Sequence, residues 1–188
     1  PAATVGGMLA AGLSGPRRQA VGAVRDFVLG VKVLNGLGEV LSFGGQVMKN
    51  VAGYDVARLM AGSLGTLGVV LEVSLKVLPL PVAERSLRFA LDEATALARL
   101  NQWGGRPLPI SASAWHDGVL TLRLSGAAAA VAAAQRELAG EALGDAEGEA
   151  FWDSLREQRH SFFAGDAPLW RLSLPSATSV QALGPTLI

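Results

Sequence analysis

The sequence predicts an α+β chain in two parts, and three observations carry that reading: strands that alternate apolar and polar residues, helix-favouring stretches set between antiparallel hairpins, and a composition that shifts near residue 80. Fourteen of the 23 glycines fall within the first 68 residues, whereas Trp103, Trp115, Trp152 and Trp170 all lie beyond residue 100. Leu78-Pro79-Leu80-Pro81 closes a long apolar run with two residues that cannot donate to a sheet ladder, so the boundary is placed there, giving parts 1–80 and 81–188. A length of 188 residues suits one domain or two small ones, at roughly 150 residues per domain. With 50% hydrophobic and 17% charged residues the chain is too apolar to be disordered.

In the first part, Phe27 to Leu34 and Glu39 to Phe43 are apolar runs joined by Asn35-Gly36-Leu37-Gly38, residues that tolerate positive φ, and they read as a hairpin. Tyr54 to Ala61 places Val56, Leu59 and Met60 at helical spacing behind Asp55, a capping residue type. Val69 to Val77 alternates strictly, which predicts a strand with Val69, Leu71, Val73, Leu75 and Val77 on one face and Val70, Glu72, Ser74 and Lys76 on the other.

In the second part, Ser86 to Leu91 reads as a strand and Asp92 to Trp103 as a helix capped by Asp92. Strands Ile110 to Trp115 and Val119 to Leu124 flank His116-Asp117-Gly118, whose Asp-Gly pair favours a tight hairpin turn. Ala127 to Leu138 is rich in the best helix former, Phe151 to His160 predicts a further helix, and Leu169 to Leu174 a last strand. The order β-α-β-β-α, then β, is that of a ferredoxin-like plait. No internal repeat is visible.

Composition removes several function classes. Sixteen basic and sixteen acidic residues leave no net field to recruit nucleic acid or an anionic membrane, although residues 1–78 carry a local excess of +3 and the remainder −3. The absence of cysteine removes disulfides, thiolate nucleophiles and iron–sulfur ligation. No apolar stretch reaches the roughly 20 residues of a membrane span, and no signal peptide opens the sequence, so a cytoplasmic address is expected. Because the sequence opens on Pro1 inside a glycine-rich motif, it reads as a segment of a longer protein.

That motif, Ala3-Thr4-Val5-Gly6-Gly7, sets a hydroxyl and two glycines ahead of an Ala-rich turn. Free N–H groups at a helix start can hold an anion, and Thr4 can equally be a plain N-cap. Gly62-Ser63-Leu64-Gly65-Thr66-Leu67-Gly68 forms a second loop, suited either to close approach of a ligand or to tight strand-entry packing. Neither loop continues into the signatures of a P-loop or a Rossmann fingerprint. Ala61 to Gly65 misses the nucleophile-elbow pattern by one residue and stands in the order helix, turn, strand, the reverse of what an elbow requires. His116 reads as a turn residue and His160 as a solvated helix end. Lys49-Asn50-Val51-Ala52-Gly53-Tyr54-Asp55 concentrates polar chemistry in an otherwise apolar stretch and contains the single tyrosine.

Taken in order, Ala3 to Gly7, Ser14-Gly15-Pro16-Arg17-Arg18, Val24 to Gly30, Lys49 to Asp55 and Gly62 to Val70 resemble the vanillyl-alcohol-oxidase type of FAD-binding domain. Within that superfamily, Gly15-Pro16-Arg17-Arg18, Phe43-Gly44-Gly45-Gln46-Val47-Met48-Lys49-Asn50 and the Gly-Ser-Leu-Gly loop resemble the FAD-binding subunits of bacterial glycolate oxidases. The similarity continues through Pro107 to Ser111, Phe151-Trp152 and Leu155 to Gln158. It implies that residues 1–80 are the second subdomain of a PCMH-type FAD-binding domain whose first subdomain is missing, and that residues 81–188 are part of a ferredoxin-like cap.

The implied cofactor is FAD, with Ala3, Thr4, Val5, Gly6 and Gly7 near its pyrophosphate and ring, Ser14, Gly15 and Arg17 in the next loop, and Val69 towards the adenine. No metal site and no catalytic acid or base is assigned. The resemblance implies an FAD-dependent oxidoreductase in a multi-subunit complex acting on a small 2-hydroxy acid, with this segment inactive by itself. Its partners would be a homologous flavoprotein subunit and an iron–sulfur subunit, through which it would sit at the periphery of the inner membrane. Many catalytic relatives carry glutamate where Leu64 stands. A D-lactate or other 2-hydroxy-acid dehydrogenase and a scaffold without flavin are the alternatives.

Overall fold

A computed structural model describes residues 3–45 and 53–179. The chain divides between Leu80 and Pro81 into two compact units. Both mix helices with antiparallel sheet, as the α+β expectation requires.

The first unit begins with α1 (Val5–Ala11) and α2 (Arg18–Val21), then a single 3₁₀ turn, Val24–Phe27. Strands β1 (Val28–Leu34), β2 (Val40–Gly44) and β3 (Val69–Leu75) follow, with α3 (Val56–Leu59) between the last two. The sheet order is β2-β1-β3, every pair antiparallel. The β1–β2 hairpin closes as expected on Asn35, whose Oδ1 accepts from the N–H groups of Leu37 and Glu39 at 2.9 and 3.0 Å. Leu9, Ala57 and Met60, contributed from α1 and from α3 and its end, pack on Val28, Val31 and Val33 to form the core.

The alternation read along β3 is not the pattern the strand adopts. Lys32 pairs with Glu72 but Val33 pairs with Val70, so Leu71 has no partner on β1 and the strand bulges. Because side chains alternate with period two, one extra residue exchanges the faces on either side of it. Val70 and Val73 therefore both join the core, while Val69 and Leu71 are 60% and 54% exposed.

The second unit runs β4 (Ala83–Ala90), α4 (Glu93–Gly104), β5 (Ile110–His116), β6 (Val119–Gly126), α5 (Ala128–Leu138), β7 (Glu141–Ala142) and α6 (Asp145–Arg156). Its sheet order is β5-β6-β4-β7, all antiparallel, which is the plait expected from the element order. Asp92 caps α4 by accepting from the Thr95 N–H at 2.9 Å, and Asp117 and Gly118 turn the β5–β6 hairpin at φ +48° and +75°. Leu87, Phe89, Leu120, Leu122 and Leu124 meet Ala96, Trp103, Val131 and Ala134 of α4 and α5 in one core. Trp152 of α6 reaches the other residue set of the sheet, donating from Nε1 to Ser86 Oγ at 2.9 Å and lying under the Arg123 guanidinium.

Two expectations are corrected here. The fourth strand of the plait is Glu141–Ala142; Leu169 to Leu174 forms no strand, and Trp170 within it is 79% exposed. That segment has strand-forming residues but pairs with no strand among the described residues, and propensity without a partner does not make a strand. The helix expected over 151–160 starts six residues earlier and stops at Arg156. Gly148 looks like a helix breaker in sequence, yet a Cβ there would stand 2.9 Å from Ser86 Oγ, so glycine is what lets α6 approach β4.

Candidate functional site

The glycine-rich opening folds as a capped helix start. Thr4 is extended at φ −112° and its Oγ1 accepts from the Gly7 N–H at 3.0 Å. Ala3, Thr4, Val5 and Gly7 are exposed, and a Cβ on Gly6 would meet no atom within 4 Å. The backbone edge of this turn is therefore open to a flat or bulky ligand.

At its other end α1 terminates on Gly12, whose left-handed φ of +64° lets its N–H reach the carbonyls of Leu9 and Met8. The Gly62 to Gly68 loop docks on that end: the Gly62 N–H donates to Leu9 O and the Leu64 N–H to Ala10 O, both at 2.9 Å. A Cβ on Gly12 would sit 2.9 Å from Gly62 Cα. Of the two uses open to the second loop, packing at the strand entry is thus realised in part, with the α1 terminus as the close neighbour. Ser63 Oγ in the same loop is buried without a hydrogen-bond partner among the described residues, a position that a ligand or further chain would satisfy.

The remaining site residues lie close in sequence to these elements. Ser14 Oγ accepts from the Val24 N–H at 3.1 Å and keeps its own proton for donation. Gly15 O accepts from the Arg18 N–H at 3.0 Å, and Arg17 is the N-cap residue of α2. Val69 opens β3 opposite Leu34, and α1 packs beside β3. Ala3 to Gly7, the 14–17 loop and Val69 thus fall on three pieces of one unit, linked through α1. Of the polar passage Lys49 to Asp55, residues 49–52 lie outside the described residues; Tyr54 is 75% exposed, and Asp55 Oδ1 accepts from the Arg58 N–H at 3.0 Å.

Sequence reading missed a third glycine contact. A Cβ on Gly44, at φ +70°, would lie 2.3 Å from Leu29 O, and one on Gly30 would lie 2.7 Å from Gly45 N. These glycines let the end of β2 cross the start of β1 and border a shallow cleft of about 210 Å³ with Lys32, Ser42, Glu72 and Ser74. The glycines are plain in sequence; which backbones they bring together is not. A serine-hydrolase reading gains nothing from the geometry, since α3 precedes the Ser63 loop and β3 follows it, and both histidines belong to the other unit.

The FAD binding domain family model matches residues 1–44. Glycolate oxidase subunit GlcE of Escherichia coli (strain K12) is 51% identical over 181 residues, 96% of this chain and 51% of that protein. Glycolate oxidase subunit GlcD of Bacillus subtilis (strain 168) is 38% identical over 51% of this chain and 20% of its own length. D-lactate dehydrogenase of Anaerostipes hadrus is 42% identical over 45% of this chain and 18% of its own. The chain therefore spans about half the length, or less, of these relatives. A solved alkyldihydroxyacetonephosphate synthase superposes with a TM-score of 0.60 over 80% of this chain and 36% of its own, at 19% identity, a likeness of fold alone. In its opening 44 residues the chain thus matches the FAD binding domain family model, and over 96% of its length it is similar to GlcE.

Proposed function

We propose that this chain is part of the flavoprotein of a glycolate oxidase complex, where it forms one wall of an FAD site that supports oxidation of glycolate to glyoxylate. The observation that carries the reading is the 51% identity to GlcE across 96% of the chain. The residues fit an FAD on three counts: the largely exposed Thr4 to Gly7 edge carries no side chain at Gly6, the Ser63 hydroxyl is buried and unsatisfied among the described residues, and Val5 and Met8 are apolar yet open to solvent.

When bound, FAD supplies a two-electron acceptor for the C–H and O–H bonds of the 2-hydroxy acid. The chain's own part is binding and exclusion of water. Ala3, Val5, Gly6 and Gly7 present a close, mostly apolar edge; Thr4 holds the turn that shapes it. Ser14 offers a hydroxyl proton, Arg17 stands in the loop after α1, and Val69 adds apolar surface at the head of β3. A homologous flavoprotein subunit and an iron–sulfur subunit complete the complex in this reading, in keeping with the lack of cysteine ligands for a cluster in these 188 residues. No helix among the described residues is long and apolar enough to cross a membrane. Similarity to D-lactate dehydrogenase keeps a different small 2-hydroxy acid as the second reading.

The visible spectrum of the full-length protein, purified without partners, tests the proposal. FAD released at near-unit occupancy supports it; a colourless protein that fails to take up added FAD supports a scaffold. Gly6→Asp sharpens the placement. Its side chain has room, and an acid in the first helical turn is compatible with folding. A carboxylate there should weaken FAD binding by about tenfold or more, ~1.4 kcal/mol, through repulsion from the pyrophosphate. Unchanged affinity in a fluorescence titration would remove this loop from the site.

A further inference from the structure

We propose that the stretch after Phe163 is a strap poised to close on the open edge of β5, with Trp170, Leu172 and Leu174 turned to the core of the second unit. Among the described residues nothing pairs with β5 on its outer side, since the sheet order is β5-β6-β4-β7. Every second N–H and C=O from Ile110 to His116 therefore faces outward, and the strand carries none of the charged residues or prolines that usually guard an edge. The opposite edge, β7, is only two residues long.

The strap is pinned near both ends of that edge. At its start the rings of Phe162 and His160 meet His116, the last residue of β5, with centroids 5.7 and 5.1 Å apart. At its far end Asn101, on the helix α4 that leads into β5, donates from Nδ2 to Ser176 O at 2.9 Å. The Thr178 N–H donates to Pro175 O at 3.0 Å and closes a turn there. The strap thus runs from the end of β5 back towards the helix that precedes it, the direction of an antiparallel neighbour. Residues 164–175 reach roughly 40 Å when extended, against about 20 Å for β5, so length is ample. Pro168 and Pro175 bracket residues 169–174, so the run itself keeps every N–H. Trp115 and Ser113 pair with Leu120 and Leu122 and so share the face of the core. Setting Trp170 opposite Trp115 and Leu172 opposite Ser113 brings the exposed Trp170, Leu172 and Leu174 onto that face, and leaves Arg171 and Ser173 on the other. A slip of one residue reverses the faces and forfeits that apolar burial, which selects the register.

These 188 residues contain no cysteine, so paired substitutions place the only thiols among them. In the full-length protein, Leu172→Cys with Ser113→Cys should form an intramolecular disulfide under mild oxidation, read on a non-reducing denaturing gel and located by peptide mapping. Arg171→Cys with Ser113→Cys, displaced by one residue and facing the other way, should bridge at least about tenfold more slowly. Asn101→Ala frees the far end of the strap while keeping a good helix former on α4, and should slow bridging of the first pair about threefold or more. Amide exchange gives a readout without thiols: Leu172→Lys, at an exposed position, should oppose closure and speed exchange of the outward N–H groups of β5 about tenfold, while the tryptophan fluorescence transition in urea stays in place. No bridge, equal rates for the two cysteine pairs, or exchange that Leu172→Lys leaves unchanged overturns the proposal. A bridge found only between two copies overturns it as well, and gives the β5 edge to a second copy of the chain.

Discussion

The two units solve close packing by different means. In the first, backbone approaches backbone: Gly12 against Gly62, Gly30 against Gly45, and Gly44 against Leu29 O. In the second, side chains fill the space: Trp103 against Phe89, Trp152 on Ser86, and a row of fully buried leucines along β6. The first leaves Val5, Met8, Leu67, Val69 and Leu71 open to solvent, as suits a wall that acquires further cover from a ligand or from more protein. The contrast teaches that a glycine-rich, weakly covered unit and a tryptophan-rich, filled unit within one chain respond to opposite kinds of substitution.

The largest expected effect breaks the backbone contacts. Gly44→Ala meets both a positive φ and a carbonyl oxygen 2.3 Å from the new Cβ, so it should destabilise the first unit by about 3 kcal/mol or more. The same change at Gly144, at φ −59° with nothing within 4 Å of its Cβ, should stay within about 0.5 kcal/mol. All tryptophans lie in the second unit, so fluorescence excited at their absorption edge follows that unit, and amide exchange at Val31 and Val33 follows the first. Equal effects of the two substitutions would dissolve the contrast.

Side-chain truncation comes next. Leu122→Ala, at a residue with no exposed surface between two helices and the sheet, should lower stability by about 3 kcal/mol, seen as an earlier tryptophan transition in urea. Trp152→Phe keeps most of the apolar volume but leaves Ser86 Oγ buried without its donor, and should lower stability by about 1 to 2 kcal/mol in the same assay. Restoring the fit with the double change Ser86→Ala, Trp152→Phe should recover part of that loss; no recovery would assign Trp152's contribution to its packing and its contact with Arg123.

These residues also mark how far the sequence can be read. Caps are local, so Thr4, Asp55 and Asp92 are recognisable from residue type and spacing, and each accepts the bond expected of it. The Asn35 and Asp117-Gly118 turns are local too. What escapes is set by partners distant in sequence. The bulge at Leu71 depends on the register of β1, forty residues earlier, and reverses the apparent faces of β3. Glu141–Ala142 has little strand propensity and is a strand because β4 lies beside it. Gly148 is a helix residue because Ser86 stands against it. At the candidate site the cap was legible, and the ligand was not: the hydrogen bonds of Thr4 to Gly7 are those of any capped helix, so FAD enters through resemblance to whole motifs.

The smallest effect tests whether a local cap in the filled unit acts as an independent electrostatic element. The Thr95 hydroxyl, donating to Asp92 at 2.6 Å, and then the Thr95 N–H hold the Asp92 carboxyl below its ordinary pKa of 3.8. A folded-state pKa below the unfolded one means that the unfolded chain takes up the proton first as the solution is acidified. The cap's contribution is therefore complete above the ordinary value and declines as pH falls through it towards the lower folded-state value. Asp92→Asn retains an acceptor for the Thr95 N–H but has no charge to lose, so its thermal midpoint should fall less steeply between about pH 5 and pH 3 than that of the parent. Both are followed by tryptophan fluorescence. Parallel slopes would show that the charge on Asp92 adds nothing beyond the hydrogen bond, which would make this helix start as purely local in its energetics as it is in its sequence.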